Sequence, residues 1–146
     1  EILKAIQFPG AASARLNSDT FDIEVGGKQK ANVMGGGFCG TLNSVVLLAI
    51  REVLYESGAH TPGILLLDSA LTQLSETQYG KNSNVIRDSF IKYLLDHQES
   101  GQVIFIDQKE KMPTWLGANS QCKYHEFTKS REQGRYGLLT DVYDEE

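Results

Sequence analysis

The chain has 146 residues, of which 40% are hydrophobic and 23% charged, and a formal net charge of −5. That length suffices for one domain with a real core, and the composition is that of an ordinary globular protein. Two cysteines exclude a disulfide framework, the acidic balance excludes a basic nucleic-acid stripe, and no apolar run reaches the ~20 residues of a membrane-spanning helix. The first residue is Glu1, not Met, and no signal-peptide pattern follows it. The expectation is a fragment or a processed chain from a reducing, cytoplasmic setting, forming a single domain over 1–146.

Residues 1–8 read as the end of a helix broken by Pro9-Gly10, and Ala11–Leu16 fits no single pattern. Phe21, Ile23 and Val25 alternate with Asp22 and Glu24, which predicts a half-buried strand. Gly26-Gly27 turns it, and Gln29–Val33 returns.

Met34-Gly35-Gly36-Gly37-Phe38-Cys39-Gly40 then precedes a helix over about 41–57, ending near Gly58. Leu42, Val45, Val46, Ala49, Ile50, Val53 and Leu54 form its apolar stripe. A glycine-rich loop that opens a helix is an anion site, because free backbone N–H groups and the positive dipole end meet there. The competing reading is a tight turn that only needs glycine. The loop is not a P-loop, since Thr41 and Leu42 stand where Lys and Ser/Thr belong. Cys39 reads as a small packing residue in preference to a reactive thiol.

Pro62-Gly63-Ile64-Leu65-Leu66-Leu67-Asp68-Ser69 predicts a short strand buried on both faces and ending in one acid. Open parallel sheets bind ligands outside the carboxyl ends of their strands, where a carboxylate holds Mg²⁺ directly or through water. Asp68 as a plain turn or cap is the alternative. A polar connection over 71–80 leads to a helix over Asn84–Glu99. Its apolar side is Val85, Phe90, Ile91, Leu94 and Leu95, and its wet side Arg87, Asp88, Lys92 and Asp96. Ser100-Gly101 stops it, and Val103–Ile106 is a second buried strand, so 64–106 predicts a parallel strand-helix-strand crossover.

Pro113, Trp115 and Gly117 mark a loop. Tyr124–Thr128 reads as a late strand, Arg135–Val142 as another, and Asp144-Glu145-Glu146 as an acidic tail. Arg135 is a candidate phosphate or partner contact, though a solvated hairpin turn fits it better. His60, His97 and His125 have no metal-ligand spacing.

In order and spacing, residues 20–110 resemble the C-terminal half of an ABC-type ATPase head of the structural-maintenance-of-chromosomes and DNA-repair kind. Met34-Gly35-Gly36-Gly37-Phe38 falls on the signature loop, Ile64–Asp68 on Walker B, Thr72-Gln73-Leu74-Ser75 on the D-loop, and Val103–Gln108 on the strand and switch. The resemblance implies an α/β fold, a P-loop NTPase-like C-terminal lobe with a mainly parallel sheet and flanking helices. It implies ATP and Mg²⁺ as cofactors, with Gly35, Gly36, Gly37 and Phe38 toward the nucleotide and Asp68 toward the metal. Asp68, Ser69 and Gln108 fall on the catalytic positions. The chain has no P-loop of its own, so the resemblance also implies an N-terminal P-loop lobe joined through a coiled coil. A second head, in a homodimer, would complete the site, and DNA contact falls to other parts of the parent protein.

The motifs depart from that family at the chemistry. Gly35 replaces the signature serine, Phe38 its polar residue, Ser69 the glutamate that polarises water, Ser75 the D-loop aspartate, and Gln108, or Asp107, the switch histidine. An unactivated serine is no base at neutral pH, whereas a glutamine can orient water. Two other readings therefore stand beside an ATPase: a nucleotide-gated scaffold that has lost hydrolysis, and an unrelated small α/β enzyme using Asp68.

Overall fold

The computed structural model describes residues 1–32, 38–72, 74, 82–99 and 101–139. The chain divides into two compact units, Glu1–Pro113 and Thr114–Glu146.

The first unit opens with a one-turn helix, α1 (Ile2–Ala5), which buries Ile2 and Leu3. Ile6 and Phe8 follow into the core. Next comes an antiparallel meander of β1 (Arg15–Leu16), β2 (Ile23–Val25) and β3 (Lys28–Gln29). Gly26 and Gly27, at φ +62° and +74°, make the two-residue turn between Val25 and Lys28, a geometry that asks for glycine at both positions. The strand is shorter than the alternation predicts: Phe21 lies outside it and is 71% exposed. All three β2 residues are buried, Glu24 included, because its carboxylate takes Arg15 Nε at 2.7 Å and Asn17 Nδ2 at 3.0 Å. Those two donors, Asn17 foremost, hold the Glu24 carboxyl below the usual carboxylate range.

The long helix is α2 (Cys39–Glu56). It ends in a Schellman arrangement: Gly58, at φ +69°, donates to Tyr55 O at 3.1 Å, and Ala59 donates to Leu54 O at 3.0 Å. The helix buries Leu42, Val45 and Leu48 with Thr41, Ser44 and Arg51. Ile50 and Val53, two of the seven residues of the expected apolar stripe, are exposed, as is Leu47 beside it. The stripe is wider than the one side that packs on the core.

β4 (Ile64–Asp68), α3 (Asn82–Asp96) and β5 (Gln102–Ile106) make the expected strand-helix-strand unit. The two strands pair in parallel, from Ile64 opposite Gln102 to Asp68 opposite Ile106. The α/β class therefore holds, but the described strands split between a three-stranded antiparallel and a two-stranded parallel sheet. Neither parallel strand is buried on both faces, contrary to expectation. Leu67 is inside, with Phe105 tilted against Phe90 of α3 at 6.0 Å, while Ile64, Leu66, Ile104 and Ile106 are exposed at 38–57%. The residues of one face alternate with those of the other, and no described element covers the second face. An apolar run tells that a strand meets apolar surroundings, not how many layers supply them.

α2 runs antiparallel to these strands. Its first turn meets the carboxyl end of β4, where Thr41 Oγ1 donates to Ala70 O at 2.8 Å, and Arg51 donates to Gly101 O at the amino end of β5. Arg87 of α3, expected on the wet side, is buried: its guanidinium donates to Asn84 Oδ1 and to the carbonyl of Leu74. A carbonyl brought there by the chain after β4 makes that burial tolerable. Val85, expected inside, is 41% exposed.

In the second unit the expected strands over 124–128 and 135–142 are absent from the described residues. A single parallel bridge between Phe127 and Arg135 stands in their place, after a 3-10 turn at Leu116–Ala118. Residues 140–146 lie outside the described chain. Among the described residues no helix is long and apolar enough to cross a membrane.

Candidate functional site at the carboxyl end of the parallel strands

Sequence reasoning placed the chemistry at the end of β4, and three segments meet there. β4 delivers Asp68 and Ser69 to an exposed edge. α2 enters from beside them through Thr41 and Gly40; a Cβ on Gly40 would lie 3.7 Å from the carbonyls of Ser69 and Ala70. β5 delivers Asp107 and Gln108, tied to β4 where Ser69 N donates to Ile106 O at 2.8 Å.

Ser69 has φ +58°, the left-handed region that a non-glycine residue seldom occupies. Its hydroxyl donates to Asp68 Oδ1 at 2.9 Å. The hydroxyl proton thus points to a carboxylate and cannot be surrendered to it usefully, since a carboxylate is far too weak a base for an alcohol. In this geometry the Ser69 hydroxyl is held on the Asp68 carboxylate.

Gln108 is exposed beside the site and starts a 3-10 turn, Lys109–Lys111, with its own N–H donating to Asp107 Oδ1 at 2.8 Å. Among the described residues nothing holds its side chain, which is exposed to a ligand or a water. Asp107 itself, weighed in the sequence only as a substitute switch residue, is the best-connected group here. It accepts from Leu71 N at 2.7 Å, from Thr72 Oγ1 and from Gln108 N. An aspartate at a strand terminus is a sequence signal for such a staple, but only the fold says which loop it holds.

Gly35, Gly36 and Gly37 lie outside the described residues, as do Gln73 and Ser75 of the D-loop-like stretch. Phe38, expected toward a nucleotide, is a core residue instead. It is fully buried, with its ring edge-on to Phe8 at a centroid distance of 4.7 Å. An aromatic ring at the mouth of an amphipathic helix has more to gain from that core than from water. Cys39 is half-buried with Sγ 3.8 Å from Lys30 O, a packing position.

The donor set fits Mg²⁺ in one limited way. Among the described residues no three His, Cys, Asp or Glu side chains converge into a metal cage. Mg²⁺ keeps most of its waters and is commonly held by one carboxylate plus the phosphates of a substrate, and an exposed Asp68 steadied by Ser69 supplies that one carboxylate. Nucleotide binding in addition needs phosphate-facing amides, and those expected for it are at 35–37.

Two other concavities lie away from Asp68. A cavity of about 680 Å³ at the opposite end of the strands is lined by Glu52, Tyr55, Glu56, Tyr93, His97 and Glu99. There Tyr93 stacks on His97 at 4.0 Å, and its phenol is raised by burial and by the hydrogen bond to Glu52. An apolar groove of about 140 Å³ runs between Leu47, Ile50 and Leu54 of α2 and Ile64 and Leu65 of β4. Arg135, the second unit's candidate, spends its donors on the carbonyls of Gly137 and Leu138 and lies 5.4 Å above the Phe127 ring.

The fold and site together define an α/β domain with an acidic, hydroxyl-bearing carboxyl end on its parallel strands. Comparison with protein-family models, curated proteins and solved structures finds no match to this chain.

Proposed function

We infer that this chain is the C-terminal lobe of an SMC-like, P-loop NTPase-type ATPase head, which contributes Asp68 and the glycine loop to an ATP-Mg²⁺ site. The observation that carries the reading is convergence: the N-terminus of α2, Asp68 and Gln108 come from distant parts of the sequence and meet at one strand end. Ligands of open parallel sheets bind at such ends. The uncovered apolar face of β4 and β5 supports the rest. A parallel sheet is ordinarily covered on both faces and contains more than two strands, so a P-loop lobe that adds strands and a layer would complete it. A second head would then bring residues 35–37 to the partner's nucleotide. DNA contact is left to other parts of the parent, and the setting is cytoplasmic.

Within the site, Asp68 would hold Mg²⁺ through water, Ser69 would orient its carboxylate, and Gln108 would orient a water or phosphate oxygen. Bound Mg²⁺ supplies charge neutralisation of the phosphates. In the polypeptide carrying both lobes, Asp68→Asn should lower Mg²⁺-dependent ATP hydrolysis at least a hundredfold with the fold intact by circular dichroism. Wild-type turnover in that variant would remove Asp68 from the site.

One observation favours a second reading, a nucleotide-gated scaffold without hydrolysis. Ser69 stands at the position of a general base and donates its proton to Asp68. ATP-dependent association of heads with no phosphate release, measured by light scattering beside a phosphate assay, would select it over the ATPase.

A further inference from the structure

We propose that Asp107 is the positioning residue of this site: its carboxylate clamps the turn 69–72 and so keeps Ser69 in the left-handed conformation that turns its hydroxyl onto Asp68. A non-glycine residue at φ +58° persists only where its surroundings over-determine it. Three anchors act on this turn. The bond from Ser69 N to Ile106 O at 2.8 Å is a continuation of the strand ladder. The bond from Thr41 Oγ1 at 2.8 Å fixes Ala70 alone. Asp107 grips the two residues beyond: Oδ2 takes Leu71 N at 2.7 Å, and Oδ1 takes the Thr72 hydroxyl while also accepting Gln108 N at 2.8 Å. Thr72 N closes the turn onto Ser69 O at 3.3 Å.

The chemistry needs a carboxylate. Three donors converge on two oxygens, which an acceptor-only group satisfies and an amide does not, since Asn would set its NH₂ against one of them. Both oxygens are engaged by the chain itself, so Asp107 acts through the turn and is not a ligand. Gln108 is fixed by the same carboxylate, so one side chain sets the spacing of the two groups beside the strand ends. The consequence for Mg²⁺ rests on the reading of Asp68 given above; the clamp does not.

The test is carbon-13 NMR of the Asp68 side-chain carboxyl in the 146-residue chain, without metal or nucleotide, assigned with Asp68→Asn. In Asp107→Asn the Asp68 resonance should move, and the Leu71 and Gln108 amides should exchange at least tenfold faster, with Phe90 and Ile91 signals unchanged. A folded Asp107→Asn with the Asp68 resonance and Leu71 protection of the wild type overturns the proposal. Thr72→Val removes one donor and keeps the carboxylate, so it serves if Asp107→Asn does not fold. It should move the Asp68 resonance in the same direction by less, and no movement with unchanged Leu71 exchange overturns the clamp. Ser69→Gly should raise the folded-to-unfolded ratio roughly threefold in the wild type by releasing the left-handed strain, and by less beside Thr72→Val. Equal gains in both backgrounds also count against it. An intact clamp with an Asp68 resonance indifferent to Mg²⁺-ATP in the two-lobed protein would sink the metal reading alone.

Discussion

Gly101→Ala should be among the most damaging single-methyl additions in this protein. Gly101 has φ +116°, where alanine is strained, and a Cβ there would lie 2.5 Å from Gly63 O and 2.9 Å from Gly63 C. Those are backbone atoms at the point where β4 and β5 enter side by side, with Gln102 N donating to Gly63 O at 2.8 Å and Arg51 bound to Gly101 O. Neither strand can retreat without losing one of these bonds. The conformational strain costs about 1–3 kcal/mol. Forcing the strand entries apart costs about the same again, by analogy with overpacked cores. A loss of ~4 kcal/mol would be a large share of a stability of roughly 5–15 kcal/mol. An unfolding entropy of about 2.1 cal/mol/K per residue converts it to a fall in Tm of roughly 10–15 °C for this length. Gly58→Ala is the control. Its φ is +69° and its Cβ would meet nothing within 4 Å, so only the strain applies. That costs about 1 kcal/mol, a fall in Tm of about 3–4 °C. Both variants are to be melted side by side by circular dichroism. Equal losses would refute the close approach of the strand entries.

Three other outcomes follow from the structure. Phe38→Ala should cost about 3–5 kcal/mol in urea unfolding, because the ring is fully enclosed against Phe8; a loss under about 1 kcal/mol would return Phe38 to the surface. Folding lowers the Glu24 carboxyl, so its ion contributes stability at neutral pH that disappears as the pH falls through the folded-state value, below the ordinary carboxylate range. Asn17→Ala removes the largest cause of that shift and should raise the midpoint of acid unfolding; an unchanged midpoint would detach Asn17 from Glu24. Ser69→Glu exchanges the hydroxyl that steadies Asp68 for a carboxylate where the resembled family polarises water, and should raise ATP turnover in the two-lobed protein; a fall in turnover would make the Ser69–Asp68 hydrogen bond the more important of the two.

The parts of this fold that one chain segment decides were readable in advance. Gly26-Gly27 dictated a hairpin turn, Gly58 closed a helix, and 64–67 with 103–106 announced two strands around a helix, each one residue short of the strand that forms. What needed a second segment was not. Arg87 looked like a wet-face residue because the carbonyl of Leu74 that receives it is set by the fold. Glu24 looked solvated because Arg15 and Asn17 reach it across a strand pair. Phe38 sat in a glycine-rich stretch whose pattern spoke of anions, while its own surroundings are another aromatic ring. At the site, Asp68 and Gln108 were visible as strand-end polar residues. Asp107 was overshadowed by its neighbour, since the three donors that define it lie at Leu71, Thr72 and Gln108.

The pairing of β4 with β5 also sets a clock on synthesis. β4 leaves the ribosome with Leu65 and Leu67 in need of cover, but its partner strand follows only after α3, from Asp68 on to Gln102. At ~5–20 residues per second that interval is on the order of 2–7 s, long beside the microseconds in which a helix forms. During it the nascent chain displays Ile64–Leu67 with no β5 beside it, a window open to chaperones and to neighbouring nascent chains on the same message. Slower decoding between the two strands would lengthen that window, so synonymous changes to rare codons over 69–101 should lower the soluble yield of a protein whose amino-acid sequence they leave untouched.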